Sequence, residues 1–423
     1  MSISESDKKL IWHPYTQMKT SRTPIPIVKG EGIYVYDENG KKYIDAVSSW
    51  WVNLHGHSHP YIAEKISEQL NVLEHVIFAG FTHPKAVELA ERLIKKLPTN
   101  QSKIFYSDDG STSVEVAVKM AFQYWHNKGV EKKKIIAFKN AYHGDTFGAM
   151  SVSGRSTFTE SFTSFLFDVI FIDAPVKGKE EDSKMQLKKA IKNNTPAAFI
   201  FEPLIQGAGG MIIYNPQPLE QLIEICKTNE ILTIADEVMT GFGRTGKYFA
   251  TDYISVKPDM FCLSKGLTGG TLPLGITSCT EEIYNAFLSD DVTKTFFHGH
   301  SFTANPIACT AAIASMDLLE RNECRENIKM IEKEHNKFCE ALKGNSKIKR
   351  AESRGTIMAL EIVTGENTSY VNSLKDKIYN FFIERGIILR PLGNVIYFMP
   401  PYCIKEEEIK FVYKAILGFL NEV

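Results

Sequence analysis

No stretch of this chain stays apolar for the roughly 20 residues that a membrane-crossing helix needs. Neither charge is in surplus: 49 lysines and arginines stand against 50 aspartates and glutamates, a formal net charge of −1. That balance lacks the basic footprint of a nucleic-acid binder or of a protein drawn to an anionic membrane. The seven cysteines, at positions 226, 262, 279, 309, 324, 339 and 403, contain no C-x-x-C pair. Their odd number and scatter spell neither a disulfide framework nor a thiolate zinc site. Histidines gather in "HGHSH" (55–59) and "HGH" (298–300), but H-E-x-x-H is missing, so no resident metal is expected. The first residues, "MSISESDKKLIWHPYTQM", lack the basic-then-apolar order of a secretion signal. With reduced thiols, this points to a cytoplasmic protein. There is no internal repeat and no low-complexity linker.

What is present is a long alternation of short apolar runs with helical patterns. Strands are expected at 103–108, 134–141, 168–175, 197–203, 232–238, 260–265 and 275–280. Near-continuous apolar strands separated by helices predict a mostly parallel sheet covered on both faces, an α/β fold. Several runs end in a polar residue: Asp108, Glu202, Asp236 and Lys265. Ligands in open α/β sheets bind beyond the carboxyl ends of the strands, so these endings are expected to share one crevice. The flanks differ in pattern. "GIYVYDENGKKYIDA" (32–46) alternates like a hairpin around an Asn-Gly turn, and past residue 310 helices lead into "GTIMALEIV" and "NVIYFMPP". Residues 1–50 and 311–423 are therefore expected to form a small α+β domain from both chain ends, and 51–310 the large one.

Three local patterns carry chemistry. "SDDGSTSVEVAVKMAFQYW" follows the strand at 103–108 and keeps helical spacing at Val114, Ala117, Val118, Ala121, Phe122 and Trp125. Thr112 and Glu115 have the spacing of a capping box. Gly110 and Ser111 would then offer backbone N–H groups at a positive helix end, a way to hold phosphate; a capped helix without ligand fits as well. "GFGRTG" supplies Gly241, Gly243 and Gly246, but no strand leads directly into it and no helix follows. A nicotinamide site is therefore set aside in favour of a shaped loop. Asp236 and Lys265 each end an apolar strand, which by itself fits a buried ion pair. A lysine, a strand-end carboxylate and a phosphate-type helix start are, however, the three groups that pyridoxal phosphate requires.

"ADEVMTGFGRTG" (235–246) followed by "LSKGLTGGTLPLG" (263–275) resembles the class III, fold-type I pyridoxal-phosphate aminotransferases. Further segments in the same order are "WHPYTQM" (12–18), "SSWWVNLHGHSHP" (48–60), "SDDGS" (107–111), "NAYHGDTFGAMSVSG" (140–154), "HGHSFTANPIAC" (298–309) and "RPLGNVIYFMPPY" (390–402). They narrow the resemblance to the branch that aminates 8-amino-7-oxononanoate in biotin biosynthesis with S-adenosylmethionine as donor. The resemblance implies a homodimer with shared active sites. It implies that Lys265 holds the coenzyme and then shuttles the substrate proton, that Asp236 keeps the pyridine nitrogen protonated, and that Gly110 and Ser111 bind the phosphate. Ser301 of the partner subunit, with His300 beside it, would complete that phosphate site. Tyr142 would stack on the ring and line the substrate pocket, with Glu202 in support. Trp50 and Trp51 would form aromatic walls for a sulfonium cation and an aliphatic chain. Arg390 would clamp a substrate carboxylate, Tyr15 would act with the oxononanoate substrate, and Gly299 would touch it by backbone. Arg244 lies in a matching loop without an assigned partner.

Many relatives carry Gly-Pro-Thr where this chain has Gly299-His300-Ser301. Serine keeps a hydroxyl for the phosphate; the histidine has no counterpart. Two readings keep the chemistry and change the substrates: lysine as donor, or an ω-amino-acid or 4-aminobutyrate transaminase. A non-catalytic relative would lack Lys265 or Asp236, and both are present.

Overall fold

The computed structural model describes residues 2–422. Its apolar runs become seven strands: β1 (Gln101–Ser107), β2 (Lys134–Phe138), β3 (Val169–Ile172), β4 (Pro196–Phe201), β5 (Leu232–Asp236), β6 (Met260–Leu263) and β7 (Gly275–Thr280). They form one sheet in the order β1-β7-β6-β5-β4-β2-β3. Six strands point the same way and β7 alone runs against its neighbours. Successive residues face different cores. Phe199 and Phe201 of β4 join one apolar cluster, while Ala198 and Ile200 join another on the opposite face. Both faces are covered, which is why these strands are apolar throughout instead of alternating.

Register places the chemistry. In the β5–β6 pair Asp236 lies opposite Cys262, and the Glu237 amide donates to the Cys262 carbonyl at 3.0 Å. Asp236 and Lys265 thus leave adjacent parallel strands at the same sheet edge. The helix after β1, here α1 (Gly110–Asn127), starts at that edge too. Its cap differs from the expected one. Asp109 is the N-cap, accepting from the Thr112 amide at 2.8 Å, while the Thr112 hydroxyl accepts from the Asp109 amide at 2.9 Å. Glu115 is turned away and accepts instead from the amides of Gly148 and Ala149, at 2.6 and 3.1 Å. Asp109, three residues ahead of Thr112, outcompetes that pairing because its carboxylate lies directly before the first helical amides.

The two chain ends meet in a separate sheet. A hairpin of Tyr34–Asp37 and Lys42–Asp45 is joined by Ile387–Ile388, which runs parallel to the second strand with Ile388 opposite Asp45. Strands Ile348–Arg354, Ile357–Ile362 and Val395–Phe398 make a further antiparallel sheet. Among the described residues no helix is long and apolar enough to cross a membrane.

Candidate active site

A cavity of about 750 Å³ opens at the carboxyl edge of the sheet, lined by Gly110, Ser111, Tyr142, Glu202, Asp236 and Lys265. The first amides of α1 have no acceptor within the helix and lie along this wall. The Ser111 hydroxyl joins them, 2.8 Å from that of Thr146.

Asp236 and Lys265 are not an ion pair. The Asp236 carboxylate takes the His143 Nδ1–H at 2.6 Å and the Val238 amide at 3.1 Å. Lys265 forms no hydrogen bond and no salt bridge among the described residues; its Nζ sits 4.9 Å from the centre of the Trp51 ring. Burial pushes its ammonium down, and the charges of Asp236 and Glu202 oppose that only in part. The backbone turns sharply here, with Lys265 at φ +45°. Gly270, at φ +82°, lets the loop press against the tryptophan segment: a Cβ would come within 2.7 Å of the Val52 backbone.

Glu202 is buried and accepts from the amides of Tyr142 at 3.0 Å and Gly207 at 2.8 Å. Burial pushes its carboxyl up to about 7, with the nearby His143 opposing and Asp236 adding. Its folded value therefore exceeds its unfolded one, so the stability it contributes is present below about 4.5 and lost as pH rises through about 7. The melting temperature of the coenzyme-free protein should fall across that window, and Glu202→Gln should flatten the slope in calorimetry.

A second opening of about 400 Å³ adjoins the first, lined by Tyr15, Trp50, Trp51, Tyr142, Lys265 and Arg390. The Arg390 guanidinium lies 4.2 Å from the centre of the Trp50 ring and forms no ion pair among the described residues. Its one hydrogen bond goes to the Tyr370 hydroxyl at 3.4 Å. Tyr15 packs edge-on against Trp50 at 5.4 Å. Its hydroxyl donates to Asp145, which also accepts from Tyr142 at 3.0 Å. Burial, then the Asp145 carboxylate, pushes the Tyr15 phenol up.

Gly299, His300 and Ser301 are not brought into this chain's own cavity. His300 Nε2 is 3.0 Å from His298 Nε2, and its Nδ1 is 3.6 Å from Asp108. The Ser301 carbonyl accepts from His75 at 2.7 Å and its side chain is exposed.

The residues fit the coenzyme that the resemblance implies. Unused bonding capacity converges here: the Gly110 and Ser111 amides, the Lys265 amine, and His143 Nε2, which is buried without a partner among the described residues. An anionic group, an electrophilic carbon and a ring nitrogen facing Asp236 would satisfy the first, the second and the carboxylate in turn.

The class-III aminotransferase profile matches residues 15–420. The chain belongs to this family. An adenosylmethionine-8-amino-7-oxononanoate aminotransferase of Synechococcus elongatus is 46% identical, covering 98% of this chain and 99% of that one. The crystal structure of the enzyme of the same name from Methanocaldococcus jannaschii superposes with a TM-score of 0.94 at 38% identity, over 99% of this chain and 98% of that one. An amine transaminase from an uncultivated Pseudomonas species, solved in a PLP-bound form, gives a TM-score of 0.92 at 28% identity over 98% of both chains.

In this aminotransferase several side chains act where sequence order gave no hint. His143 reaches Asp236 across 93 positions. Asp145 gathers the two tyrosine hydroxyls. Both lie in "NAYHGD", from which only Tyr142 was singled out. Arg244 is almost wholly buried, donating to the carbonyls of Asn53 at 2.9 Å and Pro400 at 3.0 Å and lying 5.0 Å from the Tyr402 ring centre. It braces the segment that carries the tryptophans. That segment is strained: Ser48, Ser49, Trp50 and Trp51 all have positive φ, each costing about 1–2 kcal/mol.

Proposed function

We propose that this aminotransferase moves the amino group of S-adenosylmethionine to 8-amino-7-oxononanoate, giving 7,8-diaminononanoate in biotin biosynthesis. The observation that carries the reading is the adjoining pair of cavities that share Lys265: one with anion-binding amides, a carboxylate and an amine, the other with two tryptophans and an arginine that has no ion pair among the described residues. The names of the relatives that match along the whole chain support it.

Gly110 and Ser111 would hold the phosphate of pyridoxal phosphate, Asp236 its ring nitrogen and Lys265 its reactive carbon. When bound, the coenzyme supplies a carbon that accepts the amino group and a ring that takes up the electrons of the substrate Cα–H bond. Asp236 would face the ring nitrogen, and the His143 Nδ1–H fixes the carboxylate's direction. Lys265 Nζ receives the Cα proton and returns it; burial keeps this amine more readily neutral than an exposed lysine. Tyr142, which lines the cavity, would cover the ring. Tyr15, Trp50 and Trp51 enclose the substrate and exclude water, and Arg390 receives the carboxylate of the oxononanoate chain. The indole faces suit both a sulfonium cation and a methylene chain.

The active unit of this proposal is a homodimer in the cytoplasm. Exposed Phe297 and Phe302 flank Gly299 and Ser301, an apolar setting for a second copy that would take up those residues.

The test is a set of single half-reactions on the loaded enzyme, each with one donor. S-adenosylmethionine should bleach the visible coenzyme band, and 8-amino-7-oxononanoate should then restore it. Lysine or 4-aminobutyrate bleaching the band while S-adenosylmethionine leaves it intact would reassign the donor.

A further inference from the structure

Trp50 and Trp51 reach the cavity only because four consecutive non-glycine residues hold φ values of +50°, +46°, +68° and +75°. Such a run persists when its surroundings over-determine it. The turn closes on itself, with the Trp51 amide donating to the Val47 carbonyl and the Val52 amide to the Ser48 carbonyl, both at 2.9 Å. Those bonds alone do not choose the hand of the turn.

Asp45 supplies the missing constraint. It ends the strand Lys42–Asp45 and is only 1% exposed. One carboxylate oxygen accepts from the Ser49 amide at 2.9 Å and the Val47 amide at 3.3 Å. The other accepts from the Ser49 hydroxyl at 2.7 Å and His57 Nε2 at 3.0 Å. Amides two and four residues ahead are thus drawn onto a single oxygen, which curls the backbone around the carboxylate. His57 is fixed in its turn. Its amide donates to the Gly32 carbonyl at 2.7 Å, and Asn53 approaches its Nδ1 at 3.4 Å. Gly30 leaves room for it, since a Cβ there would come within 2.6 Å of the His57 Cβ. Burial alone would push the Asp45 carboxyl up, but the bonds from His57 and Ser49 outweigh it and hold the group below its ordinary range. The acceptor stays charged.

We infer that Asp45, held by His57, is the positioning residue of the substrate-facing wall: it fixes the left-handed turn that sets Trp50 against Arg390 and Trp51 against Lys265. This rests on the reading above that the tryptophans enclose the substrates. Asp45 touches no reacting atom, so its loss should weaken substrate binding and spare proton transfer. Asparagine keeps the shape but offers one acceptor oxygen where the turn and His57 need two.

The test uses Asp45→Asn in a Trp12→Phe background, because Trp12 is 87% exposed and would dominate tryptophan fluorescence. Asp37→Asn is the control, a strand-end aspartate that serves the far turn of the same hairpin through Asn39, Lys41 and Tyr43 and does not touch the tryptophan turn. Asp45→Asn should raise KM for both substrates about tenfold with kcat within about twofold. The visible coenzyme spectrum should be unchanged. Acrylamide quenching of the remaining tryptophans, measured without substrate, should increase about twofold as buried Trp51 loosens. If Asp45→Asn does not fold, Ser49→Ala removes the hydroxyl contact alone and should move KM and quenching the same way by about threefold or less. A folded Asp45→Asn protein that matches Asp37→Asn in both KM and quenching overturns the inference, as does a fall in kcat at unchanged KM. So does a Ser49→Ala protein that matches the control in both when Asp45→Asn fails to fold. A parent enzyme that does not use the two substrates would sink the functional reading instead, and quenching would still decide the role of Asp45.

Discussion

Lys265→Ala should lose turnover by about four orders of magnitude or more, the combined worth of a positioned base and a covalent anchor. The structure makes the expectation specific. Among the described residues Lys265 forms no salt bridge, and its amine faces the Trp51 ring inside the cavity. The variant should therefore fold with an unchanged melting profile in the coenzyme-free state. The loss should lie in the half-reactions, measured one at a time in a stopped-flow spectrometer. Small exogenous amines should restore part of the rate, because they can carry the same proton. Borohydride treatment of the unsubstituted enzyme, followed by peptide mapping, should place the coenzyme on residue 265 and nowhere else. A Lys265→Ala enzyme retaining more than about a hundredth of parental activity without added amine would remove the proposed base from the reaction.

Asp236→Ala should cost about three orders of magnitude in both half-reactions, since a fixed charge facing developing charge in a dry site is worth several kcal/mol. Two observations set this apart from the loss of an ordinary buried carboxylate. Among the described residues no ion pair joins Asp236 to Lys265, and its bond to His143 leaves it one direction in which to face a ligand. The visible band should shift as the ring nitrogen loses its counter-charge, and Asp236→Glu should recover only a small part of the rate because the longer side chain displaces His143. A loss below about tenfold with an unshifted band would mean that the carboxylate serves the fold and not the ring.

Much of the fold was legible because buried parallel strands have a distinctive composition. All seven expected strands exist; six stop short of their expected carboxyl ends, leaving Asp108, Glu202 and Lys265 outside the ladder, and only the last keeps its expected bounds. Glu202, Asp236 and Lys265 do line the cavity; Asp108 does not, and lies beside His300 instead. What stayed illegible were contacts that depend on side-chain direction. Thr112 and Glu115 have capping-box spacing, yet Asp109 takes the cap because it sits closer to the first amides. His143 and Asp145 both follow closely on Tyr142, but sequence cannot say that one turns to Asp236 and the other to Tyr15. Arg244 carried no partner signal because it binds carbonyls, which every residue has. The left-handed turn at Ser48–Trp51 was the least accessible of all: serine and tryptophan carry no preference for positive φ, and the turn is imposed from outside.

The most direct measurement supplies S-adenosylmethionine carrying ¹⁵N at its α-amino group together with unlabelled 8-amino-7-oxononanoate, and reads the product by mass spectrometry. The account predicts 7,8-diaminononanoate with one ¹⁵N, at carbon 7. Unlabelled product, or none, while unlabelled lysine in its place supports turnover, would contradict it.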